Sequence, residues 1–251
     1  MTDAADLVEL VARRHGILRV VSETPRERHE LVDDFEDAKS TVYKGVAQLL
    51  EMGLVEQTDD GLRPTLFGSV ALRRYEELAR TAELRPVLDD LPAESIDPVV
   101  FVGSEFVTPD AGSVGRHLEY AHQPLETADD VRGVVPVAST ENIAVVSDRV
   151  NSGELTAEFV LSGELADSLR RRQDDAVTSL LDSGTVLWRT VSHVPFGVFV
   201  VRGPESRMGI EFRDGNLVTG LLLNETVESI DWAEERISRY RSNAERVRAR
   251  R

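Results

Sequence analysis

Cysteine is absent from the chain, which removes disulfides, thiolate metal ligands and cysteine nucleophiles together. Lysine is nearly absent: Lys39 and Lys44 stand against 27 arginines. Long apolar runs are also missing; those at residues 99–102 and 221–223 fall far short of a membrane span. The amino terminus lacks the basic and apolar regions of a signal peptide, so a soluble, cytoplasmic protein with no membrane partner is expected. Motifs of catalysis are wanting too. There is no phosphate-binding loop, dinucleotide glycine pattern, nucleophile elbow or metalloprotease motif. Of the five histidines, His15, His29, His117, His122 and His193, only His117 and His122 are close. Five residues apart, they would turn roughly 140° from each other on a helix, which is not a zinc spacing. The chain therefore reads as a non-enzyme without metal or cofactor.

What is present suffices for packed cores: 251 residues, 41% of them hydrophobic, make one large domain or two ordinary ones. The formal charge of −16 is unevenly spread, with −5 over residues 1–85, −14 over 86–230 and +3 over 231–251. Most of the excess acid thus lies in the middle. Acid excess with almost no lysine resembles the surfaces of salt-loving archaea, where net charge concerns solubility, so it says little against a nucleic-acid partner.

Both lysines fall in residues 36–55, EDAKSTVYKGVAQLLEMGLV. Val42, Val46, Leu49 and Leu50 recur there at helical spacing, leaving Lys39, Ser40, Thr41, Tyr43, Lys44 and Gln48 on the other faces. Lysines at the front of a helix suit a polyanion, because dipole and free amides already favour phosphate. An ordinary amphipathic helix with a solvated face fits the same pattern, and the flanking segments decide between them. Before it, residues 6–21 and 26–35 read as two helices, the second short and followed by a break at Glu36-Asp37-Ala38. Together with the lysine helix they predict a helix-turn-helix. After it, Gly53 stops the helix, and residues 54–58 and 62–66 form a hairpin about Asp59-Asp60-Gly61. That hairpin is a wing. Arg63 is its candidate phosphate contact, although the acidic tip equally suits a hairpin that only braces the helices. A further helix over residues 67–84 carries Ala71, Tyr75, Leu78 and Ala82 in a stripe suited to pairing protomers or docking the next domain.

The run STVYKGVAQLLEMGLVEQTDDGLRPTLFG is similar to winged-helix regulators of archaea. The likeness lies in its serine-threonine start, aromatic, leucine pair, Gly-Leu-Val and Thr-x-x-Gly. Farther on, DDVRGVVPV, the segment before FGVFVV, and NETVESIDWAEERISRYR resemble the middle domain of the methanogenesis and filament regulator family, which is widespread in haloarchaea. The resemblance implies a transcriptional function.

Prolines 86, 92 and 98 mark a linker over residues 86–98, between a DNA-binding domain of residues 1–85 and a regulatory domain of residues 99–251. In the latter, residues 99–102, 156–161, 185–190, 196–202, 208–212 and 217–223 read as strands, the last three as an antiparallel meander, with a helix over 163–181. The fold class is α+β: a winged helix-turn-helix followed by an α/β sheet domain with a final helix. That helix, over residues 227–248, has a seam at Ile230, Ala233, Ile237, Tyr240, Ala244 and Val247 that fits packing on its own sheet or a dimer contact. Arg246, Arg248, Arg250 and Arg251 would reach DNA, pair with acidic surface or fray. For an effector, Arg189 on an apolar strand suits an anionic metabolite, with His193 and Phe196 flanking the next turn and Ser162 at a helix start. Asn224-Glu-Thr226 matches a glycosylation sequon, a role set aside for an unsecreted chain.

The expectation is a sequence-specific transcription regulator acting on double-stranded DNA as a homodimer, tuned by a small-molecule effector. The alternative is a winged helix used for protein contact that does not bind DNA.

Overall fold

Leu10, Val11, Ile17, Leu18 and Val21 are buried along one side of α1 (Ala4–Glu23), which Asp3 starts by accepting the Ala5 amide. The structure is a computed structural model describing residues 3–89, 91–107, 125–138, 140–172, 175–215 and 217–247. It contains two compact units, Met1–Glu83 and Leu84–Arg251.

In the first unit the short helix expected over residues 26–35 is reduced to one 3-10 turn, Glu30–Val32, with only Leu31 buried in it. The cause is upstream: Arg26 exchanges backbone hydrogen bonds with Leu62, at 3.2 and 2.8 Å, and is extended rather than helical. The lysine-bearing helix α2 (Lys39–Glu51) buries Val42, Gly45, Val46 and Leu49. Gly53, at φ 71°, ends it, and the Leu54 amide closes back on the Leu49 carbonyl at 2.9 Å. Strands β1 (Val55–Thr58) and β2 (Gly61–Pro64) pair antiparallel as the wing, and α3 (Leu66–Glu83) packs back on α1. Leu18, Leu31, Leu49, Leu54 and Leu62 are fully buried, each contributing about 1.5–3 kcal/mol by burial.

The second unit is built on an eight-stranded sheet. After the short α4 (Arg85–Leu88) and a 3-10 turn at Pro98–Phe101 come β3 (Glu105–Val107), β4 (Asp130–Val135), α5 (Thr140–Asn151) and β5 (Thr156–Leu161). Helices α6 (Gly163–Arg172) and α7 (Asp175–Ser183) lead to β6 (Val186–Thr190). The meander β7 (Gly197–Arg202), β8 (Arg207–Asp214) and β9 (Leu217–Asn224) precedes α8 (Val227–Ser242) and β10 (Ala244–Arg246). The strand order is β10-β6-β5-β4-β7-β8-β9-β3, with β4, β5 and β6 mutually parallel and every other pairing antiparallel.

Helix α8 covers one face, setting Ile230, Ala233 and Ile237 against Val198, Met208 and Ile210. The other face meets α5, α6 and α7 through Val146, Ala166 and Leu180. Residues 86–98, expected to link two domains, set Val87, Leu88, Leu91 and Ile96 against the α8-side core. Three expected elements differ. Residues 99–102 are not a strand: Pro98 opens a 3-10 turn that the Asp97 side chain caps at the Val99 amide. The helix of residues 163–181 is two, α6 and α7. The terminal helix stops at Ser242, and the edge strand β10 follows, so Ala244 extends the helical seam in sequence only.

Candidate nucleic-acid interface

Burial of Val42, Val46 and Leu49 turns the opposite side of α2 outward, where Lys39, Ser40, Lys44 and Ala47 are exposed. Ser40, Lys44 and Ala47 follow one another at steps of four and three on one ridge. Lys39 lies over the Tyr43 ring, 5.3 Å from its centroid, while Thr41 is half-buried at the edge. Among the described residues neither lysine takes part in an ion pair; every salt bridge is made by arginine. Ala38 precedes the helix without a capping side chain, and no acid occupies its first turn, so the first amides and Lys39 face the same anion-attracting end.

Two other residues expected at DNA are occupied differently. Gln48 is half-buried and accepts a hydrogen bond from Arg14 Nε at 3.2 Å, which ties α2 to α1. Arg63 pairs with Glu56 directly across the wing at 2.8 Å, and the tip beyond carries exposed Asp59 and Asp60. Ala47 escaped the sequence reading because alanine carries no polar signal; its place on the Ser40–Lys44 ridge is what marks it.

The helix is aimed by the segment behind it. Thr65 Oγ1 donates to the Gly53 carbonyl at 2.7 Å and accepts the Gly68 amide at 3.0 Å. One side chain thus starts α3 and pins the turn that ends α2, which explains the Gly-Leu-Val and Thr-x-x-Gly pattern. Gly68 allows the approach: a Cβ there would lie 1.8 Å from the Leu54 carbonyl oxygen.

In the sheet unit each of the four expected effector residues has contacts of its own. Ser162 Oγ donates to the Pro136 carbonyl and accepts the Leu165 amide, each at 3.1 Å, and so caps α6. Arg189 makes two hydrogen bonds to Asp167, at 3.1 and 3.0 Å. Hydrogen bonding by Asp167 first, then its charge, raises the Arg189 pKa above its ordinary value, so the guanidinium is already matched to an anion. Phe196 is buried under α8, and His193 is exposed with its carbonyl accepting the Tyr240 hydroxyl at 3.0 Å.

A cavity of about 130 Å³ lies elsewhere, between the sheet and α5 and α7. Val135, Phe199, Ile143, Val146 and Leu180 contribute apolar wall, and among the described residues its polar side chains are Asn142 and Glu211. Sequence reading missed it because its walls are drawn from separate strands and helices whose residues look like any core. No group of three or more histidines and carboxylates that could hold a metal ion occurs among the described residues, nor any helix long and apolar enough to cross a membrane. His117, His122, Asn216, Arg248, Arg250 and Arg251 lie outside the described residues.

Comparison with known proteins matches residues 1–86 to the HVO_A0261 N-terminal domain and residues 116–243 to the middle domain of the methanogenesis regulatory protein FilR1. No curated protein matches the chain. Among solved structures, the archaeal chromatin protein TrmBL2, whose description reports a novel mode of DNA binding, is 15% identical with a TM-score of 0.44, over 98% of this chain and 100% of that one. The phospholipase D family member Nuc from Salmonella typhimurium is 9% identical, also at 0.44, over 58% of this chain and 99% of that one. At these scores neither structural likeness bears on function. The match over residues 116–243, half of the chain, shows that the protein belongs to the family of the FilR1 middle domain, the domain of an archaeal-type regulator.

Proposed function

We propose that the protein is a sequence-specific, DNA-binding transcription regulator that acts as a homodimer and responds to an effector through its sheet unit. The observation that carries this reading is the outward side of α2, where the chain's two lysines stand exposed and out of ion pairs, Lys39 at an uncapped helix start. Entering the major groove, such a helix would set Lys39 and Lys44 on phosphates and Ser40, Tyr43 and Ala47 toward base edges, alanine suiting a thymine methyl. Thr41 would position the helix; Gln48 and Arg63 would brace it from α1 and the wing. Apolar Leu66, Phe67, Val70 and Leu78 are exposed on α3 and offer a second copy a surface. An effector would occupy the cavity, and by linkage effector and DNA would alter each other's affinity equally.

A second reading has its own support. Asp33, Asp34, Glu36 and Asp37 are exposed just before α2, and the wing tip is acidic, which favours a winged helix that contacts protein and no DNA. One experiment separates the two. Titration of the gene's own upstream DNA with wild type, Lys39→Ala and Lys44→Ala should show binding that falls by about tenfold in each variant, without a change of preferred sequence. Binding that ignores both substitutions, or no binding at all, would leave the protein-contact reading standing.

A further inference from the structure

We infer that the cavity beneath α5 and α7 takes a small neutral molecule, one ring or a branched aliphatic of that bulk, bearing a single hydroxyl or N–H group directed at Glu211. The inference rests on the effector reading above and narrows it to a ligand class.

Size sets the first limit. An engineered apolar cavity of about 150 Å³ holds benzene, so a space of about 130 Å³ admits one ring. The space is built into the sheet by glycines. The tip of the Phe199 ring sits against Gly209, where a Cβ would fall 2.1 Å from its Cζ, so that glycine gives the ring room at the cavity wall. Gly197 opens it on the Glu211 side: a Cβ there would stand 3.3 Å from Glu211 Cβ and 3.5 Å from Pro136 Cδ.

Charge sets the second limit. Glu211 is the charged residue of the wall among the described residues, and its Oε1 already receives Arg213 Nε, a guanidinium that does not line the cavity. An entering anion would give up its hydration, meet a carboxylate and find no cation in the described wall. A carboxylate accepts only, so a polar end directed at Glu211 must donate. These terms oppose the anionic metabolite that Arg189 suggested, since that arginine is held by Asp167 away from the cavity.

Titration calorimetry of the full chain with phenol, toluene and benzoate tests the class. Phenol is expected to bind with a Kd of about 0.1–1 mM, toluene roughly tenfold more weakly, and benzoate not detectably. Ile143→Phe, which brings a ring into the space from α5, should weaken phenol at least about tenfold; Leu180→Phe does the same from α7 if the first variant folds poorly. Glu211→Gln removes the repelling charge and should let benzoate bind. Absent phenol binding, benzoate or toluene binding as tightly as phenol, or phenol affinity unmoved by either filling substitution would overturn the inference. Repeating the DNA titration with each probe separates it from the reading beneath it. Phenol bound in the cavity with DNA affinity unchanged keeps the ligand class and removes the effector role. DNA affinity that responds to benzoate while phenol fails to bind does the reverse.

Discussion

Gly53 and Gly68 sit at the two ends of one clamp and fail for different reasons when substituted. At Gly53 the backbone has φ 71° but a Cβ would find nothing within 4 Å, so alanine there bears only the left-handed strain, about 1–2 kcal/mol. At Gly68 the backbone angle is no obstacle, yet a Cβ would lie 1.8 Å from the Leu54 carbonyl oxygen, a backbone atom that cannot swing aside. Separating α3 from that turn would also break the Thr65 clamp, so Gly68→Ala should cost about 3 kcal/mol or more and lower the Tm of the first unit by roughly 12–24 °C. Thermal unfolding followed by far-ultraviolet circular dichroism decides it. A Gly68→Ala protein melting above Gly53→Ala would mean the close approach is not what orders this corner. Asn224 is another residue whose role is local. Its Nδ2 donates to the Val100 and Val102 carbonyls at 2.8 and 2.9 Å, while its Oδ1 accepts the Thr226 amide at 2.8 Å. The Asn-x-Thr pattern read as an idle sequon is therefore a turn that binds the 3-10 segment to the start of α8. Asn224→Asp keeps the acceptor and loses both donors, so it should destabilise as much as Asn224→Ala, about 2–4 kcal/mol. Urea unfolding read by tryptophan fluorescence measures this, because Trp188 and Trp232 both lie in the sheet unit. An aspartate variant as stable as wild type would show that the donated bonds contribute nothing.

Among the elements, those with a long one-sided pattern were legible and those depending on a distant partner were not. The pattern in α1 and α2 needs no tertiary information, and the meander announces itself by its turns. Residues 26–35 held enough apolar side chains to suggest a helix, but pairing of Arg26 with Leu62 is a tertiary fact that local spacing does not contain. Residues 99–102 show the converse, a four-residue apolar run whose length cannot separate strand from turn, decided by Pro98 and the Asp97 cap. Gly133 interrupts the valines of β4 and hides the strand from its pattern; the structure uses that glycine to admit Phe199 and Phe159, whose atoms would lie 3.3 and 3.4 Å from a Cβ. α8 ends where Asn243 leaves helical geometry, and β10 then pairs with β6 through Ala244, Glu245 and Arg246. Past the break the seam divides, Ala244 packing on the α8-side core and Val247 on the core of the other face. Pairing β10 to β6 should matter for stability: Glu245→Pro removes the amide that faces Arg189 and is expected to cost about 1–3 kcal/mol in the same urea assay. Retention of the wild-type midpoint would indicate an edge that adds no strength. The candidate site divides in the same way. The lysine ridge was legible from one helix, whereas the cavity, gathered from separate elements, was not.

For the molecule as a whole the governing quantity is charge. At −16 overall, the chain would meet DNA against its own field, and the described cations other than the lysines are arginines, many held in ion pairs such as Arg63 with Glu56 and Arg202 with Glu234. Exposed pairs of this kind add little stability, about 0–1 kcal/mol each, but they neutralise cations that would otherwise be open to a phosphate. The lysines should then dominate counterion release. Each phosphate contact contributes about −0.9 to the slope of log K against log salt concentration, so two lysines on each protomer of the proposed dimer give roughly −3.6. Lys44→Ala removes one contact per protomer and should make the slope shallower by about 1.8, while Gln48→Ala, which breaks a brace to Arg14, should leave it unchanged even if binding weakens. Fluorescence anisotropy of a labelled operator across a range of potassium chloride concentrations measures both. A slope of the opposite sign would mean that Asp59, Asp60 and the carboxylates before α2 meet the duplex through bound cations, and that cation uptake, not lysine contact, drives association. The sign alone thus tells which charges of this acidic molecule face the nucleic acid.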